Sequence, residues 1–178
     1  MKKPILVPIL TLVLTVLVLL GATLGLNSTA AANAQAEHLQ IMQTILPGST
    51  EFVLEPYTGD DANIRSVHKG ETGFVVETVT TGYAGDITML VGVSKEGKVT
   101  GLVVRELSET QGLGARALTD HVFLAQFLNT SGEAEVGTNV DAITGATVTS
   151  KAVTRSVNSA VAFVTGADTS SSATTWGG

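Results

Sequence analysis

The chain predicts an α+β fold behind an N-terminal hydrophobic helix. Two observations carry that prediction. Three strand-like segments at 74–80, 87–93 and 99–107 follow one another without an intervening helix. Two helical patterns, at 116–128 and 148–164, come only after them. Strands grouped first and helices grouped later favour an antiparallel sheet with helices packed on it over alternating βαβ units.

From Ile5 to Leu26 the chain holds 22 residues without a charge. As a helix rising about 1.5 Å per residue this run is roughly 33 Å long, enough for a hydrocarbon core of about 30 Å. Lys2 and Lys3 precede it and the next basic residue is Arg65. Residues 1–4 are therefore expected in the cytoplasm, 5–26 in the membrane and the remainder outside. Ala32-Asn33-Ala34 offers a signal-peptidase-like site, but the run exceeds the usual h-region of about 7 to 15 residues, which favours an uncleaved anchor.

Residues 27–47 are expected to form a polar spacer and a stalk helix. In the latter, Leu39, Met42, Ile45 and Leu46 recur at helical spacing until Pro47-Gly48 ends it. The folded domain is expected over 48–165. Within it Phe74–Thr80 is rich in β-branched residues, and Ile87, Met89, Val91 and Val93 alternate at period two. Ser94-Lys95-Glu96-Gly97 then supplies a turn into Val99–Leu107, which makes an antiparallel hairpin. Leu118, Val122, Phe123, Ala125 and Phe127 mark the helix expected over 116–128. Val153, Val157, Ala160, Val161 and Val164 form the apolar stripe of the last one. Residues 166–178 lack periodicity and are expected to be a disordered tail.

Composition removes several function classes. With no cysteine, disulfide scaffolds, thiolate metal sites and cysteine nucleophiles are excluded. Beyond Asn27 the chain carries eight basic against sixteen acidic side chains, a balance that repels phosphate backbones and argues against nucleic-acid binding. His38, His68 and His121 are scattered and fit no zinc motif, so no metal site is expected. Neither a G-x-S-x-G elbow nor a P-loop occurs. Gly112-Leu113-Gly114-Ala115-Arg116-Ala117 matches G-x-G-x-x-G/A. A dinucleotide fingerprint requires its first glycine to end a strand, however, and here Ser108–Gln111 intervene.

The segment Asp141-Ala142-Ile143-Thr144-Gly145-Ala146-Thr147-Val148-Thr149-Ser150 precedes the last helix. Its hydroxyls suit an N-cap. Hydroxyls and free N–H groups at a positive helix end equally suit a phosphate, and periodicity does not choose between the two.

This string resembles D-x-x-(S/T)-G-A-T-x-T, the flavinylation motif of the FMN-binding domain family. Gly82-Tyr83-Ala84-Gly85 is similar to the family's G-Y-x-G. Glu109-Thr110-Gln111-Gly112-Leu113-Gly114 is similar to its E-T-P-G-L-G, with Gln111 in place of proline. The resemblance implies FMN joined covalently by a phosphoester to Thr147, within a loop of Thr144, Gly145, Ala146, Thr149 and Ser150. It implies that Glu109, Thr110, Leu113 and Gly114 border the isoalloxazine, and that Asp141 guides a flavin transferase. Tyr83 is expected either beside the flavin or in the sheet core.

Size and layout further resemble the G subunits of Rnf-type ion-translocating ferredoxin:NAD oxidoreductases. The resemblance implies an electron-transfer subunit partnered by other membrane subunits. The corresponding C subunit of sodium-translocating NADH:quinone oxidoreductases and a flavin-binding redox sensor are alternatives. So is a surface protein in which the loop is merely a helix cap.

Overall fold

The computed structural model describes residues 6–107 and 118–167. It divides into two compact units, 1–40 and 41–178.

In the first unit the chain is helical from Leu6, as the start of α1 (Leu6–Ile45). The polar stretch 27–36 does not interrupt this helix, because alanines and glutamine offset the weak propensity of Asn27, Ser28 and Thr29. Leu12, Val13, Leu14, Val16 and Leu17 are all exposed. Among the described residues, no helix is long and apolar enough to cross a membrane.

The second unit is the α+β domain. Its five strands, β1 (Val53–Glu55), β2 (Ile64–Lys69), β3 (Gly73–Thr81), β4 (Asp86–Ser94) and β5 (Val99–Leu107), form one antiparallel sheet in chain order. The strands expected at 74–80, 87–93 and 99–107 are present within one residue of those limits. β1 and β2 add two that carried no strong alternation. The β4–β5 turn has Gly97 at φ +77°, with Gly97 N–H donating to the Ser94 carbonyl at 2.9 Å. That left-handed conformation is the reason glycine stands there.

The helix expected over 116–128 is shorter. Residues 116 and 117 lie outside the described residues, and α2 spans only His121–Ala125. Asp120 starts it, its carboxylate accepting the N–H groups of Val122 at 2.9 Å and Phe123 at 3.1 Å. An N-cap with extended backbone at that position ends any helix arriving from upstream. The last helix, α3 (Thr147–Thr165), agrees with its prediction.

α3 covers one face of the sheet. Val153, Val157, Ala160 and Val161 are buried against Val76, Ile87, Met89, Val91 and Val93, each buried valine contributing about 1.5–3 kcal/mol. Phe163 meets Phe74 edge to face at 5.6 Å near one end of the interface. Near the other end, Arg155 donates to the Thr81 carbonyl at 3.0 Å. The start of α3 and the β3–β4 turn therefore lie at the same end of the domain.

The opposite face is covered by Met42, Ile45 and Leu46 against Val75 and Leu90. Gly92 and Gly101 are register partners in β4 and β5. A Cβ on Gly101 would lie 2.7 Å from Ile45 Cα, and one on Gly92 would strike the Ile45 carbonyl. This glycine pair seats the end of α1, and Thr100 Oγ1 closes the seat by donating to the Ile45 carbonyl at 2.6 Å.

Candidate functional site

The loop 141–146 turns sharply before α3. Ala146 N–H donates to the Ile143 carbonyl at 2.9 Å, and Gly145 sits at φ +81°, where a side chain is disfavoured. The N-cap is Ala146, and no side chain caps the helix. The expected alternative of a hydroxyl cap is thereby corrected: the threonines flank the cap position, and alanine occupies it.

The first intrahelical bond runs from Ser150 N–H to the Ala146 carbonyl at 2.9 Å. The N–H groups of Thr147, Val148 and Thr149 precede it at the positive end of a 19-residue helix. Thr147 and Thr144 are exposed there, whereas Thr149 and Ser150 are fully buried. Ser150 Oγ accepts the Ile143 N–H at 3.2 Å and donates to the Ala146 carbonyl at 3.0 Å. Its hydroxyl is thus committed to folding the loop. Thr149 Oγ1 is buried without a hydrogen bond among the described residues.

Upstream, three side-chain amides hold the α2–α3 connection, each pairing with backbone at both its ends. Asn158 Nδ2 donates to the Ala134 carbonyl at 2.8 Å and Asn158 Oδ1 accepts the Ala134 N–H at 3.3 Å. Asn139 Nδ2 donates to the Glu133 carbonyl at 2.6 Å and its Oδ1 accepts the Glu135 N–H at 2.7 Å. Gln126 Oε1 accepts the Asp141 N–H at 2.8 Å and Gln126 Nε2 donates to the Asp141 carbonyl at 3.3 Å. These amides add to the connection's own backbone bonds, such as Gly137 N–H to the Val140 carbonyl at 2.9 Å.

Beside this loop lies a cleft of about 580 Å³ between Asp120, Val122, Phe123 and Gln126 on one side and 141–144 on the other. Apolar and polar groups share its walls. Tyr83 stands in the β3–β4 turn, which the Gly82 N–H closes onto the Gly85 carbonyl at 2.8 Å. Its side chain is 80% exposed. This corrects the sheet-core alternative, since the four residues 82–85 between the paired strands carry the ring outside the sheet.

Of the residues singled out from the sequence, Asp141, Thr144, Gly145, Ala146, Thr147, Thr149 and Ser150 share one loop and helix start. Tyr83 lies on a separate turn. Glu109, Thr110, Leu113 and Gly114 lie outside the described residues. Gln126, Asn139 and Asn158 were missed, because a lone amide leaves no periodic trace. His38, His68 and His121 fall on α1, β2 and α2.

These residues fit an FMN phosphate. An exposed threonine hydroxyl stands at an uncapped positive helix end two residues beyond Gly145, and Thr144 of the same loop lines the cleft.

Comparison with known proteins agrees. The FMN-binding domain family matches residues 82–162. The G subunit of the Na(+)-translocating ferredoxin:NAD(+) oxidoreductase complex of Acetobacterium woodii is 39% identical over 123 residues, which are 62% of this chain and 55% of that protein. The G subunit of an ion-translocating oxidoreductase complex of Methanosarcina acetivorans is 38% identical over 141 residues, 70% of this chain and 73% of that protein. The G subunit of the proton-translocating ferredoxin:NAD(+) oxidoreductase complex of Clostridium ljungdahlii is 41% identical over 99 residues, 52% of this chain and 53% of that protein. The chain thus spans just over half the length of two of these relatives and nearly three quarters of the third. With its cleft, its uncapped helix start and these likenesses, the chain belongs to the G-subunit family of ion-translocating oxidoreductase complexes and contains an FMN-binding domain.

Proposed function

We propose that this chain is a membrane-anchored electron carrier holding FMN on Thr147 through a phosphodiester, within an Rnf-type ion-translocating ferredoxin:NAD oxidoreductase. The observation that carries the reading is Thr147, exposed at the uncapped start of α3 within a string that resembles the flavinylation motif. A phosphodiester leaves one negative charge there, which the helix dipole favours by about 0.3–1 kcal/mol. Bound FMN supplies one- and two-electron redox chemistry, and the protein supplies position and field.

Thr144, Gly145 and Ala146 leave the hydroxyl accessible, while Ser150 holds the turn from behind. Thr149 shares the buried side of the helix start. Glu109, Thr110, Leu113, Gly114 and Tyr83 are the proposed neighbours of the isoalloxazine. Asp141 is the proposed recognition point of a flavin transferase. The other subunits of the complex are the proposed electron donors and acceptors.

The anchor reading rests on the 22-residue uncharged run from Ile5 to Leu26 and on five exposed large aliphatics within it. Lys2 and Lys3 favour a cytoplasmic N-terminus and an extracytoplasmic flavin domain. A tether is useful there because it replaces rebinding from dilute solution by an intramolecular process at millimolar effective concentration.

The test is intact mass with flavin fluorescence on the denatured full chain, coexpressed with a flavin transferase. A covalent FMN increment in wild type that disappears in Thr147→Ala is the expected result. An unmodified wild type overturns the reading.

A further inference from the structure

We propose that Gln126 is a positioning residue for covalent flavin attachment, holding the backbone of Asp141 in the loop that leads into Thr147. This rests on the reading of Thr147 as the modified residue. Gln126 is 15 residues upstream of Asp141, outside the flavinylation string.

Both bonds between them go to the Asp141 backbone, the N–H at 2.8 Å and the carbonyl at 3.3 Å. The Asp141 side chain is left exposed on the rim of the cleft. Anchoring an exposed acid by its main chain fixes where its side chain starts and leaves the carboxylate free for a partner. The two bonds use the amide's donor and acceptor together, so the side chain acts as a short strand partner for a residue that has none.

The anchor itself is rigid. Gln126 closes α2 between Phe123 and Phe127, which are 2% and 0% exposed and pack edge to face at 5.3 Å. Two residues beyond Asp141, Ile143 N–H is held by Ser150 Oγ at 3.2 Å, and Ser150 belongs to the first turn of α3. Gln126 and Ser150 thus pin the two ends of the bend that places Asp141 relative to Thr147. Near-attack geometry depends on such pinning.

The reaction served is a phosphoryl transfer. The bond from Thr147 Oγ1 to the flavin-side phosphorus forms as the phosphoanhydride bond of a flavin dinucleotide donor breaks. The hydroxyl proton passes to a base of the transferase or to solvent, the nucleoside monophosphate leaves, and no atom changes oxidation state.

The test measures initial rates of covalent labelling against the concentration of unlabelled full chain, at fixed transferase and saturating flavin dinucleotide. Wild type is compared with Gln126→Ala, Gln126→Glu, Asp141→Ala and the Gln126→Ala/Asp141→Ala double variant. Gln126→Ala is expected to raise the half-saturating concentration about tenfold, the value of one net hydrogen-bonding interaction, with the limiting rate little changed. Gln126→Glu keeps the acceptor for the Asp141 N–H and is expected to recover part of the loss. In the Asp141→Ala background, removing Gln126 is expected to have no further effect.

Wild-type labelling kinetics in Gln126→Ala overturn the proposal, as does a Gln126 effect that persists undiminished without the Asp141 carboxylate. Should Gln126→Ala not fold, by circular dichroism, Gln126→Glu decides: wild-type kinetics in it confine Gln126 to folding and overturn the proposal, and an intermediate half-saturating concentration supports it. Absence of labelling in wild type overturns the Thr147 reading instead, and this inference with it.

Discussion

Thr80 and Ser156 meet hydroxyl to hydroxyl at 2.9 Å in the buried interface between β3 and α3, and Thr80 Oγ1 also reaches the Ala152 carbonyl at 3.1 Å. Together with the Arg155 bond to the Thr81 carbonyl, this contact sets the axial position of α3, and hence of Thr147, on a face packed mainly by apolar side chains. Thr80→Val keeps the shape and leaves the Ser156 hydroxyl without its partner, so a loss of about 1–2 kcal/mol is expected. Adding Ser156→Ala is expected to restore part of it, because removing both partners costs less than orphaning one. Denaturant unfolding of the full chain in detergent measures both, and strict additivity would refute the pairing.

Backbone geometry makes the second case. Gly145 at φ +81° lies where an L-residue costs roughly 1–2 kcal/mol. Gly145→Ala is expected to destabilise by about that amount and to lower flavin loading at Thr147, since the turn that exposes the hydroxyl must relax. Gly145→Asn is expected to lose less, because asparagine tolerates this region better. Melting temperature together with the fraction of chain carrying covalent FMN tests the pair. Equal behaviour of the two variants would mean that the side chain, and not φ, sets the cost.

Much of this was legible in the sequence, for identifiable reasons. β3, β4 and β5 announced themselves through their β-branched content and, in β4, through Ile87, Met89, Val91 and Val93, which pack in the α3 core at period two although the other face of β4 is buried as well. The α3 stripe was legible for the same reason at helical period. β1 and β2 were not, since Val53 and Leu54 are exposed and a bulge between Ile64 and Ser66 breaks the alternation of β2. α2 was overextended because Leu118 and Phe123 are both buried and fit one helical stripe, although Asp120 restarts the chain between them. At the site, the small-residue string located the loop and left cap against ligand open. Placement of Ala146 at the N-cap removes the hydroxyl cap, and no composition encodes that placement. Gln126 was invisible, since its role depends on a backbone 15 residues away.

Charge at the helix start gives a third outcome. A phosphodiester on Thr147 places a negative charge at the N-terminus of α3, so the labelled chain is expected to be more stable than unlabelled wild type by about 0.3–1 kcal/mol at low salt. The dipole contribution is screened, and the Debye length falls to about 3 Å at 1 M salt. The increment should therefore shrink as salt rises. Thr147→Ala, unlabelled, should show no such salt-sensitive difference after exposure to transferase. An increment that is insensitive to salt would assign the stabilisation to flavin packing in the cleft.

Acid sensitivity is expected from a residue far from the site. Glu71, in the β2–β3 turn, accepts Thr50 N–H and Thr50 Oγ1, each at 3.0 Å, and Glu51 N–H at 3.4 Å. Its carboxyl titrates below the ordinary glutamate value of 4.5. The bond from its own backbone N–H contributes most, desolvation opposes it, and the Thr50 and Glu51 bonds add to the lowering. A depressed folded-state value means that the unfolded chain takes up the proton first. The stabilisation is then complete above the ordinary value and is lost as pH falls through and below it. Wild type should exceed Glu71→Gln in melting temperature by a constant margin near neutral pH, and the margin should close below about pH 4.5. Glu96 is lowered in the same direction by its bond with Ser94, so both proteins share its acid response and the difference between them isolates Glu71. A margin that stays constant down to about pH 3 would show that the Glu71 bonds do not depend on its charge.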